Sequence, residues 1–124
     1  MANLGFSVEQ SESNLTPSTP FFSFSATTAF TSTDGITYTT GSLPPNAGSL
    51  MAYGNSKYVT APRNISGTSI ASYSTDGLNW TNANLPITVP SGLTFGAGVF
   101  LTITQSSPAA SSTDGITWSL RTLP

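Results

Sequence analysis

The phrase Ser-Thr-Asp-Gly occurs three times in this chain, beginning at Ser32, Ser74 and Ser112. In each copy Leu-Pro follows nine residues after the aspartate, at Leu43-Pro44, Leu85-Pro86 and Leu123-Pro124. Successive aspartates lie 42 and 38 residues apart. Self-similarity at a period near 40 residues means that one supersecondary unit is built repeatedly, and it restricts the fold more than any composition can. A second phrase recurs upstream: "YGNSKYV" from Tyr53 matches "FGAGVFL" from Phe95, 42 residues later. The shorter Asp spacing therefore arises between that phrase and the aspartate. Length variation confined to one short segment marks a loop between strands.

Each full unit reads as four short strands. The first is Leu50–Tyr53, then Leu93–Phe95. The second is Lys57–Ala61, then Val99–Thr104. The third is Ser69–Ser74, then Ala109–Ser112. The fourth is Leu78–Thr81, then Ile116–Leu120. Gly54-Asn55 and Gly96-Ala97-Gly98 supply the first turn. Asp-Gly supplies the third, as a two-residue type I′ hairpin that needs positive φ at both central residues. No segment carries a 3.6-residue apolar period, and Gly, Pro, Ser and Thr interrupt every helical candidate.

The first unit is incomplete. Phe21–Ser25 serves as its second strand and Ala29–Ser32 as its third. Before it, residues 1–20 form an N-terminal strand or extended arm, in which Leu4, Phe6 and Val8 alternate and Ser11 to Pro20 reads as a linker. Residues 21–124 are then a single all-β repeat domain with units at about 21–45, 46–87 and 88–124. Four-stranded units of about 40 residues predict propeller-like blades. A β-trefoil and a plain β-sandwich are the alternatives. Three blades at most are present, short of the 4–8 that close a ring, so a homo-oligomer or another partner at the free edges is expected.

Composition removes several functions. Charged residues are only 6 % of the chain, against about 25 % in an ordinary soluble domain. The net charge is −2 and Lys57, Arg63 and Arg121 are the only basic residues. Three scattered cations cannot neutralise a run of phosphates, so no nucleic-acid partner is expected. No membrane partner is expected either, because no apolar run approaches the roughly 18 residues of a spanning helix. Cysteine and histidine are absent, which removes disulfides, thiolate metal sites and the usual general base at neutral pH. Serine has no histidine to activate it. Glu9 and Glu12 lie in the divergent N-terminal stretch. "MANLGFSVEQ" has no basic n-region followed by an apolar core, so the expectation is a protein that does not use Sec export. No enzyme activity, cofactor or metal is expected. Asn14 and Asn64 open glycosylation sequons, read as chance in so Ser/Thr-rich a chain.

Asp34-Gly35, Asp76-Gly77 and Asp114-Gly115 are accordingly read as structural turns, each carboxylate bonding local N–H groups. One aspartate per loop is too sparse for calcium, which takes six or more oxygens. Tyr38, Trp80 and Trp118 stand four residues after each aspartate. They are read as core aromatics under the turn with the polar tip bonded at the edge. The competing reading is a glycan-stacking platform repeated once per unit.

The segment "YGNSKYV…SIASYSTDGLNWTNANLP" resembles repeats found in bacteriophage tail and other virion proteins. Those pair an aromatic-Gly-Asn-Gly-x-Phe-Val phrase with Tyr-Ser-Thr-Asp-Gly-x-x-Trp. It is also similar, more distantly, to the Asp-box of sialidase-type propellers, although here Asp and Gly are adjacent and unit one has Tyr38 in place of Trp. Sialidase chemistry is not implied, because that family needs an arginine cluster. The resemblance covers about Phe21 to Pro124. It implies a non-enzymatic structural protein of a tailed bacteriophage virion, assembled in the host cytoplasm. Capsid decoration or cement protein, or small tail or fibre component, are the roles it implies, with other capsid or tail proteins as partners. A lectin-like module binding host glycan is the alternative.

Overall fold

The computed structural model describes residues 21–25, 27–44, 50–63, 70–106 and 108–124. The N-terminal arm, the start of the third strand at Ser69 and both sequons lie outside the described residues. Every regular element among the described residues is a β-strand. β1 (Phe21–Phe24), β2 (Thr28–Ser32) and β3 (Thr39–Ser42) form the first sheet. β4 (Leu50–Gly54), β5 (Lys57–Ala61), β6 (Ile70–Ser74) and β7 (Thr81–Asn84) form the second. β8 (Gly92–Gly96), β9 (Val99–Ile103), β10 (Ala109–Ser112) and β11 (Ser119–Arg121) form the third. Within each sheet neighbours in sequence are neighbours in space and all pairs are antiparallel. The described residues are all-β, in three blade-like meanders that are not closed into a barrel, unlike a trefoil.

Register aligns the blades residue by residue. Phe21 pairs with Ser32, Tyr58 with Ser74, and Phe100 with Ser112. Phe22, Val59 and Leu101 therefore occupy one position, and Phe24, Ala61 and Ile103 another on the same face, because side chains alternate along a strand. The first blade lacks a counterpart of β4 and β8 among the described residues.

Two differences from the expected turns have a physical cause. The type I′ hairpins are at Asn55-Ser56, with φ of 46° and 60°, and at Ala97-Gly98, with φ of 52° and 79°. Each joins an inner strand to its neighbour through two residues. At the Asp-Gly sites only the glycine takes positive φ, 75° at Gly35, 78° at Gly77 and 76° at Gly115. A type I′ turn cannot form there. Instead a six-residue loop runs from Ser32 to Thr39, with equivalents from Ser74 to Thr81 and Ser112 to Ser119. The outer strand thus starts three residues later than expected from the second sequence unit.

The core lies between blades. Ala29 and Leu43 of the first blade are covered by Trp80 of the second, with Phe22 and Phe24 alongside. Val59 and Ala52 of the second blade pack with Phe100 of the third, flanked by Phe95, Leu93 and Trp118. Leu85, Ile87 and Ala71 meet Ala110 and the other side of Trp118. Burying each large apolar side chain contributes about 1.5–3 kcal/mol, so the stacking of blades is the main source of cohesion. Gly54 is one place where a side chain is forbidden: a Cβ there would stand 2.2 Å from the Phe95 ring of the next blade.

Candidate functional site

The three Asp-Gly loops are built alike. In the second, the Ser74 hydroxyl donates to Asp76 Oδ1 at 2.9 Å and accepts from the N–H of Asp76 at 3.3 Å and of Gly77 at 2.8 Å. Asp76 Oδ1 accepts from the N–H groups of Leu78 and Asn79, both at 2.8 Å. The Asn79 side-chain amide donates to Asp76 Oδ2 at 2.7 Å. In the first loop Ser32 and Asp34 repeat the pattern, with Asp34 Oδ1 accepting from Ile36 and Thr37 at 2.8 Å each. In the third, Ser112, Asp114, Ile116 and Thr117 do the same. A serine and an aspartate two residues apart thus satisfy four backbone donors that no strand partner reaches, as buried or constrained N–H groups require. The serine was not singled out from sequence. Its signal was its fixed place two residues before each aspartate, at the end of a strand.

Electrostatics follow from these bonds. The Thr37 N–H, then the Ile36 N–H and the Ser32 hydroxyl, hold the Asp34 carboxyl below its ordinary range. Asp76 is held well below it, first by the Asn79 N–H and with help from the Asn79 amide, the Leu78 N–H and the Ser74 hydroxyl, against a partial burial that works the other way. The Thr117 and Ile116 N–H groups lower Asp114 in the same manner. Donors that bond the carboxylate favour its charged form over the protonated one. Tyr58 goes the opposite way: burial, then the neighbouring Tyr53, pushes its phenol up to about 12.

These shifts set a pH profile. Asp carboxyls titrate near 3.9 when unfolded. A depressed folded pKa contributes stability that is complete above that value and lost as pH falls through the folded values. Tyr58, raised from 10.0, contributes stability that is complete below pH 10 and lost as pH rises through about 12. No histidine intervenes. Urea midpoints should therefore stay level from pH 5 to 8 and fall below about pH 4 and above about pH 10. Asp76→Asn should blunt the acid limb.

The aromatic that follows each loop is fastened to it. Trp80 Nε1–H donates to the Gly77 carbonyl at 3.1 Å, and Trp118 Nε1–H to that of Gly115 at 3.3 Å. The Tyr38 hydroxyl donates to the Gly35 carbonyl at 3.1 Å. Trp80 lies 5.7 Å from the Phe22 ring of the preceding blade, and Trp118 contacts clusters shared by the second and third blades. Both are half-buried wedges between blades. Tyr38 is 55 % exposed.

The three aspartates stay on separate blades. Among the described residues no three His, Cys, Asp or Glu side chains come together in a group able to hold a metal ion. Asn55 in the β4–β5 hairpin ties the second blade to the third: its side-chain amide donates to the Thr113 carbonyl at 2.6 Å and to the Gly98 carbonyl at 3.1 Å. A groove of about 490 Å³ lies where the segment after β7 meets the loop after β9, lined by Ile87, Val89, Gln105 and Pro108 among others. Among the described residues its lining carries apolar, hydroxyl and amide groups and no ionisable side chain. No family model and no curated protein sequence matches the chain.

Proposed function

We propose that this chain is a non-enzymatic structural protein of a tailed bacteriophage virion, a capsid decoration or cement protein or a small tail or fibre component, which stabilises the particle through protein–protein contacts. One observation carries the structural part of this reading. The repeated acid, the feature on which the sequence spends all its aspartates, is used within its own loop to hold backbone N–H groups. The resemblance of the repeat to virion proteins supplies the setting. Depletion of charge fits a surface meant for contact, since interface cores are poor in charged residues.

Immunogold labelling of purified virions tests it: decoration at regular positions on head or tail is the expected result, and unlabelled particles would overturn it. With so few ion pairs to screen, raising NaCl to about 1 M should leave the chain on the particle. Release under that condition would refute the account of the contact.

A second reading, a lectin-like module for host-surface adhesion, has one observation in its favour, the exposed ring of Tyr38. Trp80 and Trp118 are committed to their wedges. Glycan-array binding that disappears in Tyr38→Ala would support it, and a blank array would end it.

A further inference from the structure

Among the described residues the inter-blade contact occurs twice, and each of its two halves is left over once. In both occurrences the Asp-Gly loop of one blade lands on the second strand of the blade before it. A Cβ on Gly77 would stand 2.7 Å from the Thr31 methyl and 3.1 Å from the Phe22 ring. A Cβ on Gly115 would stand 2.6 Å from Val59 Cγ2. Phe22 and Val59 are the same repeat position, so the two contacts are one contact repeated.

The unused halves are open. The third copy of the Phe22/Val59 position is Leu101, 37 % exposed where Val59 is 0 % exposed. Beside it Ile103 is 37 % exposed where Ala61 is 1 %. At the other end, Gly77 and Gly115 are buried but Gly35 is exposed. Ile36, whose counterpart Leu78 is half-buried with its backbone against Gly41, is 82 % exposed. Tyr38 stands where Trp80 and Trp118 wedge. Leu101 and Ile103 share one face of β9, and Ile36 and Tyr38 share one loop, so each pair is an exposed apolar patch of the kind that marks an interaction surface. The contacts between blades within the chain show what fits each: the other one.

We infer that the Gly35–Tyr38 loop face of one copy docks on the Leu101/Ile103 face of a second copy, in the geometry of the contacts within the chain. Such an interface is heterologous, pairing two different patches, and it either closes a ring or runs on as a filament. Two copies bring six blades, within the 4–8 of closed propellers. Arg121 stands on the docking face at the position of Gly41 and Ala83, with its Nε–H donating to Ser111 Oγ at 2.9 Å beside Leu101, where the incoming loop would land. That loop carries Asp34, of opposite charge. The inference holds whether or not the chain is a virion component.

Native mass spectrometry and sedimentation of the full chain test it. The expected species has twice the 12.8 kDa chain mass. Leu101→Glu and Ile36→Glu each damage one patch at an exposed position, and circular dichroism checks that both variants keep the strand signal. Each alone should run as a monomer. Mixed, they should pair one to one, because one variant retains the intact loop face and the other the intact strand face. A wild-type chain that stays monomeric up to millimolar concentration overturns the inference. So does an unmixed Ile36→Glu chain that still dimerises, or a mixture that fails to pair.

Discussion

Trp118→Ala should destabilise the single chain by about 3 kcal/mol, within the range for truncating a packed aromatic to alanine. The indole fills the space between the second and third blades, touching one cluster made by Ala71, Leu85, Ile87 and Ala110 and another made by Ala52, Val59 and Phe100. Removing it leaves a cavity with walls on both sheets. Closing that cavity would mean moving whole blades, which their hydrogen-bonded ladders resist, so relaxation recovers little. The Gly115 carbonyl also loses its indole donor. Trp80→Ala should behave similarly at the first junction. Tyr38→Ala, at the same repeat position, should change the stability of a monomer by less than about 0.5 kcal/mol, as exposed substitutions do. Urea denaturation of the three variants, in the monomeric Ile36→Glu background, measures the contrast. Equal losses at all three positions would mean that the aromatics serve their own loops and not the blade junctions.

That contrast separates what the sequence reveals from what it does not. The repeat phrases are local, and they locate the strands of each meander because turn residues and alternation act over a few positions. The loops differ from the hairpins expected of their sequence because Asp-Gly has two stable uses. Between strands with no nearby hydroxyl it closes a two-residue hairpin. With Ser32, Ser74 or Ser112 two residues ahead, the serine hydroxyl and the carboxylate share the N–H groups of the loop. Only the glycine then needs the left-handed region. The open ends were hidden for another reason. Leu101 and Val59 look alike in sequence, as do Ile36 and Leu78. Val59 is covered by Gly115, 56 residues further on, and Leu78 by Gly41, 37 residues before it, and neither partner is visible in the local sequence. Asn55 is similar: its two carbonyl partners lie 43 and 58 residues further on.

Gly115→Ala should cost about 3 kcal/mol, from two sources that a double-mutant cycle can part. Gly115 has φ of 76°, and a side chain in the left-handed region costs about 1–2 kcal/mol. The added methyl would also sit 2.6 Å from Val59 Cγ2, a side chain with no exposure of its own and no room to turn away. Overpacking of this kind costs about 1–3 kcal/mol. Gly35→Ala carries the first cost at an exposed loop position, so in the monomer it should lose only about 1 kcal/mol. Val59→Ala alone opens a small cavity and should itself destabilise. In the double variant the new methyl occupies that cavity, so the combined loss should fall short of the sum by at least about 1 kcal/mol, as expected for residues in direct contact. A coupling of zero would show that the Asp-Gly loop and the preceding strand do not touch. The blade-to-blade contact, and the copy-to-copy contact inferred from it, would then both fail.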